Sequence, residues 1–205
     1  VLGIDPAEGP ARRAIDQGID TRIDFFTEDL AERLAAEGAV ADVIHANNVL
    51  AHVADTNGFV AGIARLLKDD GEAVIECPYL KDLVDHCEFD TIYHEHLCYF
   101  SATAVDHLLR RHGLFLNDVR RLPIHGGSLR LFIEKVEAPL DSVKDLLAED
   151  RRMAVDVNED LAFLRSPKLH EYDVVVMHFR NLNPKLPGRE GYENLQRFVS
   201  EGGGL

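Results

Sequence analysis

The chain has 205 residues, of which 46% are apolar and 28% are charged, a composition that supports a packed core and argues against wholesale disorder. Its formal net charge of −14 would repel phosphate backbones, so nucleic acid is not an expected partner. No apolar run approaches the roughly 20 residues of a membrane span, and the first residues lack the basic region of a signal peptide. The three cysteines form no CxxC pair, which favours a reducing cytoplasm over a disulfide framework or a zinc ribbon.

Strands and helices are expected to alternate along residues 1–77. Thr27 can cap the second helix, and the sequence Asp69-Asp70-Gly71 is expected to end the third. This alternation predicts a parallel sheet with helices on both faces. Strands are expected at 1–4, 21–26, 41–46 and 72–77, and helices at 10–18, 28–37 and 57–68.

The pattern changes after a predicted helix at 104–112, which Ser101 can cap. Two strand-like runs follow, at 114–122 and 128–136, joined by the loop Pro123-Ile-His-Gly-Gly127. Because this loop is too short for a helical crossover, the two strands should pair antiparallel. A doubly wound α/β sheet closed by an antiparallel pair at one edge is typical of a class I methyltransferase domain, with its Rossmann-like fold, rather than of a dinucleotide dehydrogenase.

The richest concentration of chemical groups is the stretch Glu88–Phe100, in which Tyr93-His-Glu-His96 brings together a phenol, two imidazoles and a carboxylate. If the segment turns helically, Tyr93 and His96 share a face, whereas in an extended segment His94 and His96 do. Apolar neighbours could partly desolvate a titrating group, as acid–base catalysis requires. The alternative is that these histidines are partly exposed loop residues or hydrogen-bonded core residues.

Other polar residues follow predicted strands at their carboxyl ends, where doubly wound sheets bind ligands. Asp5 follows the first strand and could accept hydrogen bonds from ribose hydroxyls, or it could cap the next helix. Asn48 and His52 follow the strand at 41–46, where ordinary turn chemistry is the alternative interpretation.

Four segments, taken together and in this order, resemble the S-adenosylmethionine-dependent sugar C-methyltransferases. These enzymes act on nucleotide-linked 4-keto-6-deoxy sugars. The resemblance covers residues 1–154, and Tyr-His-Glu-His is its most specific element. The segments are Gly3-Ile-Asp-Pro6, Asn47-Asn-Val-Leu-Ala-His-Val53, Phe89-Asp-Thr-Ile-Tyr-His-Glu-His96 and Pro123-Ile-His-Gly-Gly-Ser-Leu-Arg130.

The resemblance implies a role for individual residues. His96 would be the general base that removes a proton from the carbon beside the ketone, and Tyr93 and Glu95 would complete the catalytic set. The substrate, a nucleotide-linked sugar, would be held by Asn48, His52 and His94. The cofactor, S-adenosylmethionine, would contact Asp5, Pro6 and Asn47, and no metal ion is implied at the site.

The sequence also departs from this family. A domain of this class opens with a first strand and a glycine-rich turn that approaches the methionine part of the cofactor. Since the chain begins at what would be the second strand, we expect a fold that lacks both features and S-adenosylmethionine binding that is impaired. The family's N-terminal cysteine-ligated zinc module has no counterpart in this sequence either.

The C-terminal part follows a different pattern. Residues 141–161 are expected to form one charged helix, and 172–179 a strand buried on both faces. Residues 164–205 resemble the start of the trehalose-utilisation family, whose fold is like that of class I glutamine amidotransferases. The features that carry the resemblance best are the stretches 173–179 and 197–205. The predicted parts are a truncated methyltransferase domain at 1–140, a charged helix or linker at 141–163, and a partial second α/β domain at 164–205.

Three other functions compete with methyl transfer. A metal-dependent hydrolase could use His94, Glu95 and His96, although this spacing lacks the HExxH pattern that puts two ligands on one helical face. A carbohydrate-associated binding module that has lost catalysis is the non-enzymatic alternative, and the missing glycine-rich turn favours it. A fragment of a trehalose-utilisation-like protein is the third.

Overall fold

A computed structural model of the protein describes residues 1–152, 164–171 and 188–200, which form an α/β fold. Strands are β1 (Leu2–Ile4), β2 (Asp20–Arg22), β3 (Ala41–Asn47), β4 (Leu67–Pro78), β5 (Phe115–Leu122) and β6 (Ser128–Glu134). Helices are α1 (Glu8–Asp16), α2 (Glu28–Ala36), α3 (Thr56–Leu66), α4 (Leu80–Asp85), α5 (Ala102–Arg111), α6 (Asp141–Asp150) and α7 (Gly188–Ser200).

The strands make two sheets. β1 and β2 pair in parallel, and the second sheet has the strand order β3-β4-β6-β5. Within it β3 and β4 are parallel, while β6 runs antiparallel between β4 and β5. The α/β class and the antiparallel closing pair are confirmed. Two sheets, each with one parallel pair, take the place of the single mostly parallel sheet that the sequence predicted.

β1 and β3 are each an edge strand of their sheet. In the described ranges no strand joins them, so each has one unpaired edge. Ile4 of β1 and Ile44 of β3 nevertheless pack against the same buried cluster on α2 and α3. Contacts with these helices therefore connect β1 and β3 to one apolar cluster. The cluster consists of Leu30, Ala31, Leu34 and Leu66.

The main core lies between one face of the four-stranded sheet and the helices α3, α5 and α6. Ile75 and Leu131 are fully buried on the sheet side, and Val105 and Val143 are buried on the helix side. Burying one such side chain contributes about 1.5–3 kcal/mol, so this cluster fixes how the helices sit on the sheet.

Both predicted N-caps are confirmed. The Thr27 hydroxyl accepts a hydrogen bond from the backbone N–H of Leu30, 3.2 Å away, at the start of α2. The Ser101 hydroxyl accepts one from Ala104, also at 3.2 Å, at the start of α5. In each case the side chain satisfies a backbone donor that the first helical turn leaves free.

The predicted boundary between α3 and β4 is wrong. Asp69-Asp70-Gly71 was expected to end the helix, but the helix ends at Leu66 and these three residues lie inside β4. They form an irregular stretch, because Ala41 pairs with Leu67 and Val43 already pairs with Glu72. Leu67 is buried in the core and Lys68 pairs with Asp42 of β3 at 2.5 Å, so tertiary contacts override the local turn signal.

The end of the chain is described only in part. α6 ends at Asp150 and residues 151–152 form a turn, so the single helix predicted through residue 161 stops earlier. The predicted strand at 172–179 lies outside the described residues. α7 packs on the turn Pro167–Glu171, and Asn194 donates a hydrogen bond of 2.8 Å to the carbonyl oxygen of Leu164. None of the described helices is long and apolar enough to cross a membrane.

Candidate active site

The Tyr-His-Glu-His stretch lies in a segment that leaves the sheet after β4 and returns at α5; we call residues 80–100 the excursion. Within it the helical alternative is the one observed, because the backbone N–H of His96 donates to the carbonyl oxygen of Tyr93 at 3.0 Å. The turn places the side chains of Tyr93 and His96 together, with ring centroids 4.3 Å apart.

The hydrogen bonds of His96 define its tautomer. Nδ1 lies 2.8 Å from the carbonyl oxygen of Thr91, and a carbonyl oxygen can only accept, so Nδ1 carries the hydrogen. In the neutral ring Nε2 therefore has a free lone pair. The hydroxyl of Tyr93, 3.1 Å away, donates to it. His96 is half-buried, and the bond to Thr91 orients its Nε2 as a hydrogen-bond acceptor.

His52 is held in the same way. Its Nδ1 lies 2.8 Å from the backbone carbonyl oxygen of Glu95, which fixes the hydrogen on Nδ1 and leaves Nε2 bare in the neutral ring. The centroids of the His52 and His96 rings are 4.8 Å apart. Two imidazoles that each carry the hydrogen on Nδ1 thus lie side by side, although they are 44 positions apart in the sequence.

Backbone contacts bring the two histidines together. His52 closes a short 3-10 turn at Leu50–His52, just after β3. The backbone N–H groups of Leu97 and Cys98 both donate to the carbonyl oxygen of Ala51 in that turn, at 2.8 and 3.2 Å. The excursion is therefore docked on the carboxyl end of β3, where the sequence placed a ligand site.

His94 and Glu95 are placed differently from the other members of the motif. Their side chains are 90% and 64% exposed, and His94 Nε2 lies 3.9 Å from Glu95 Oε1. Glu95 joins the cluster through its backbone carbonyl rather than its carboxylate. Within the described ranges no three His, Cys, Asp or Glu side chains are arranged to hold a metal ion.

Asn47 is the last residue of β3, and Asn48 directly follows it. Asn48 has a positive φ of 53°, and its backbone N–H donates to the carbonyl oxygen of Glu76 on β4 at 2.9 Å. This bond turns the chain away from the sheet, toward the 3-10 turn that carries His52.

Asp5 and Pro6 end β1, in the other sheet. Asp5 Oδ1 accepts a hydrogen bond of 2.8 Å from the backbone N–H of Ala7. This Asx turn precedes α1, whose N-cap residue is Ala7 and has no side-chain cap bond, so Asp5 does not cap the helix as the alternative interpretation expected. For Oδ2 the described residues provide no hydrogen-bond partner, and the carboxylate keeps one oxygen for a ligand.

The sequence interpretation missed three contributors to this region. The carbonyl oxygen of Thr91 orients His96, and Tyr99 lies edge-on to it with centroids 6.1 Å apart. Glu76 is buried at the carboxyl end of β4 and accepts a hydrogen bond of 2.5 Å from Nε of Arg130 on β6. Arg130 ends the Pro-Ile-His-Gly-Gly-Ser-Leu-Arg segment, which was the only sequence signal for this pair.

A cavity of about 200 Å³ lies elsewhere, between α6 and the strands β5 and β6. Arg121, Ser142, Asp145 and Glu149 contribute its polar lining. None of the predicted site residues lines this cavity, so the histidine cluster and the cavity are separate features.

The cysteines are expected to differ in reactivity. Burial raises the pKa of the Cys77 thiol to about 12 and also raises the pKa of Cys98, whereas Cys87 is exposed. We therefore expect iodoacetamide at pH 8 to alkylate Cys87 first, Cys98 more slowly, and Cys77 only after unfolding. Peptide mass mapping over time checks this order. Native alkylation of Cys77 as fast as that of Cys87 would show that the core assignment is wrong.

Comparison with known proteins identifies the class. The family model described as a methyltransferase domain matches residues 1–117, more than half of the chain. The chain therefore belongs to the methyltransferase-domain family. The fold agrees, since a SAM-dependent methyltransferase from Thermotoga maritima aligns with a TM-score of 0.50 at 17% identity, covering 66% of this chain and 72% of the other.

Two further relatives refine the comparison. Magnesium protoporphyrin IX methyltransferase from Synechocystis PCC 6803 aligns with a TM-score of 0.50 at 13% identity, covering 66% of this chain and 64% of the other. The C-methyltransferase NovU of Streptomyces niveus is 35% identical over 158 residues, or 76% of this chain. The chain spans 38% of the length of NovU.

Proposed function

We propose that this chain is part of a S-adenosylmethionine-dependent C-methyltransferase that methylates the carbon beside the ketone of a nucleotide-linked keto-deoxysugar. The observation that carries the proposal is the bonding of His96, whose Nδ1 is pinned by a backbone carbonyl so that Nε2 can accept a proton. The similarity to NovU, a C-methyltransferase, supports carbon as the methyl acceptor.

His96 would act as the general base. Its Nε2 takes the proton from the carbon beside the ketone, so that the C–H bond breaks and the electron pair moves onto the ketone oxygen. Imidazole is basic enough for this step only when hydrogen-bond donors stabilise the enolate oxygen. The Tyr93 hydroxyl, 3.1 Å from Nε2, can supply such a donor by shifting its hydrogen bond from His96 to the substrate.

His52 and Asn48 would hold the same oxygen or the neighbouring sugar hydroxyls. His52 is fixed through Nδ1, so its Nε2 faces a ligand as an acceptor when neutral and as a donor when protonated. His94 and Glu95 would contribute at the exposed mouth of the site, where their side chains lie. In this assignment His96 is the base, because it is half-buried and its Nδ1 is held by a backbone carbonyl oxygen.

S-adenosylmethionine supplies a methyl group on a positively charged sulfur, which an enolate carbon can attack in line. Asp5 fits this ligand, because one of its carboxylate oxygens is free to accept hydrogen bonds from ribose hydroxyls at the carboxyl end of β1. Asn47, the last residue of β3, would contribute a second contact with the cofactor. The chain would then have to hold the enolate carbon in line with the methyl group, and such positioning supplies a large part of the rate enhancement when two reactants combine.

Methyl transfer can be tested with S-adenosylmethionine that carries carbon-13 in its methyl group. The acceptor is thymidine diphosphate 4-keto-6-deoxyglucose, a representative nucleotide-linked keto-deoxysugar. We expect a labelled product whose carbon-13 shift is that of a methyl group on carbon. A shift typical of a methyl group on oxygen, or no labelled product, would contradict the proposal.

We also propose that cofactor binding is impaired in this chain. The assay is therefore run on the chain and on a fusion in which the corresponding N-terminal part of NovU precedes Val1. Titration calorimetry with S-adenosylmethionine should show weaker binding to the chain than to the fusion. Equal micromolar binding to both proteins would contradict impaired cofactor binding and would leave the proposed methyl transfer unaffected.

A further inference from the structure

The two ends of the excursion meet at a narrow neck. Tyr79, just after β4, forms an isolated parallel β-bridge with Phe100, just before α5. The backbone N–H of Leu80 donates to the carbonyl oxygen of Phe100 at 2.9 Å. Tyr79 and Phe100 are both buried. The 20 residues between them, which include Tyr93 and His96, thus form a loop that is closed at its base.

One carboxylate ties both sides of this neck. Asp150, the last residue of α6, accepts a hydrogen bond of 2.6 Å from the Tyr79 hydroxyl and one of 2.7 Å from the backbone N–H of Thr103. Tyr79 precedes the excursion and Thr103 follows it. Asp150 is only 7% exposed, so these two bonds are shielded from water. Burial, together with the Asp150 carboxylate, raises the pKa of Tyr79, and its hydroxyl remains a donor at ordinary pH.

The rest of α6 does not require this residue for docking. Val143 and Leu146 already bury the apolar side of the helix in the main core. Adding a buried carboxylate costs desolvation energy that apolar packing would avoid. The neighbouring Glu149 reinforces the contact, since it lies 3.3 Å from Arg121 and 3.6 Å from Lys81 of α4. The acidic end of α6 is thus directed at the base of the excursion.

We propose that Asp150 is a positioning residue for the methyl-transfer reaction, which holds the neck closed so that His96 keeps its alignment with His52 and Tyr93. The inference rests on the proposed function. Asp150 touches none of the reacting groups and acts through the excursion, in which three residues separate His96 from Phe100. It also lies beyond residues 1–117, the stretch that the family model matches.

Asp150→Asn tests the proposal. A neutral amide offers one acceptor oxygen in place of two, so it can satisfy either Tyr79 or Thr103 with full geometry, but not both. We expect amide hydrogen exchange at Leu97 and Cys98 to accelerate by about 10-fold or more, since one charge-assisted bond is lost. Exchange in β6 should change by less than about two-fold. Asp141→Asn, at the exposed start of the same helix, should change neither.

Two further measurements separate positioning from general stability. Tyr79→Phe removes one of the two bonds to Asp150, and its effect should be less than additive with that of Asp150→Asn, because both substitutions act on the same carboxylate. With the NovU fusion, Asp150→Asn should lower kcat about 10-fold and leave KM unchanged. Equal acceleration of exchange in every strand, unchanged exchange at Leu97 and Cys98, or an unchanged kcat would each overturn the proposal.

The exchange measurement needs no substrate, so it separates the two claims. If the unmodified protein transfers no methyl group, the positioning role falls together with the proposed function. A local acceleration at Leu97 and Cys98 would then still show that Asp150 closes the neck.

Discussion

His96→Ala is expected to lower the rate of methyl transfer by about 10²–10⁴-fold, the usual effect of removing a positioned general base. The substitution removes the one Nε2 that is both oriented by a carbonyl and hydrogen-bonded to Tyr93. Initial rates of carbon-13 methyl transfer with the NovU fusion measure the effect. Affinity for S-adenosylmethionine should stay within a few-fold, because the cofactor contacts proposed for Asp5 and Asn47 lie on other elements.

The matched control is His94→Ala. This histidine belongs to the same motif, but its side chain is almost fully exposed, so we expect its loss to cost less than about 10-fold. Tyr93→Phe should lie between the two variants, since it removes one donor to the enolate and leaves the base in place. If His96→Ala retains activity within a few-fold of the unmodified enzyme while His94→Ala does not, the base is His94.

Gly127→Ala should destabilise the fold by about 4 kcal/mol, the sum of backbone strain and overpacking. Gly127 has φ of 124°, a conformation that only glycine adopts readily, and an added Cβ would overlap with the side chain of Asp82. Asp82 cannot retreat, because it is buried and accepts hydrogen bonds of 2.9 and 3.0 Å from Nε of Arg121. For a chain of this size the loss corresponds to roughly 10 °C in Tm.

Gly113→Ala is the control for backbone strain alone. Gly113 has φ of 70°, and an added Cβ there would meet no neighbour within 4 Å. Its alanine variant should lose only about 1–2 kcal/mol. Thermal unfolding of both variants, followed by circular dichroism, separates strain from overlap. Equal losses in the two variants would mean that the contact with Asp82 contributes nothing.

The fold was predictable where local signals and tertiary contacts agree. The caps at Thr27 and Ser101 and the antiparallel pair at 114–136 follow from side-chain chemistry and loop length. The start of β4 was not predictable, because Asp69-Asp70-Gly71 has the local signature of a helix end. Its strand conformation depends on the burial of Leu67 and the pairing of Lys68 with Asp42, which local sequence does not encode.

The candidate site shows the same division. Because Tyr93 and His96 are three residues apart, their pairing was one of the two geometries expected from the sequence. The structure has this geometry, since the backbone turns once between them. The tautomer of His96 could not be predicted, because it depends on which carbonyl oxygen faces Nδ1. The hydrogen bond from Tyr79 to Asp150 joins residues 71 positions apart, and no sequence pattern predicts it.

The central claim, that His96 removes the proton beside a ketone, is tested most directly by hydrogen exchange into the substrate. The protein is incubated in deuterium oxide with thymidine diphosphate 4-keto-6-deoxyglucose and without S-adenosylmethionine, and proton NMR follows the carbon-bound hydrogens. We predict loss of the proton signal from the carbon beside the ketone, with a rate that falls at least about 100-fold in the His96→Ala variant. Exchange that is absent in the unmodified protein, or equally fast without His96, would contradict the account.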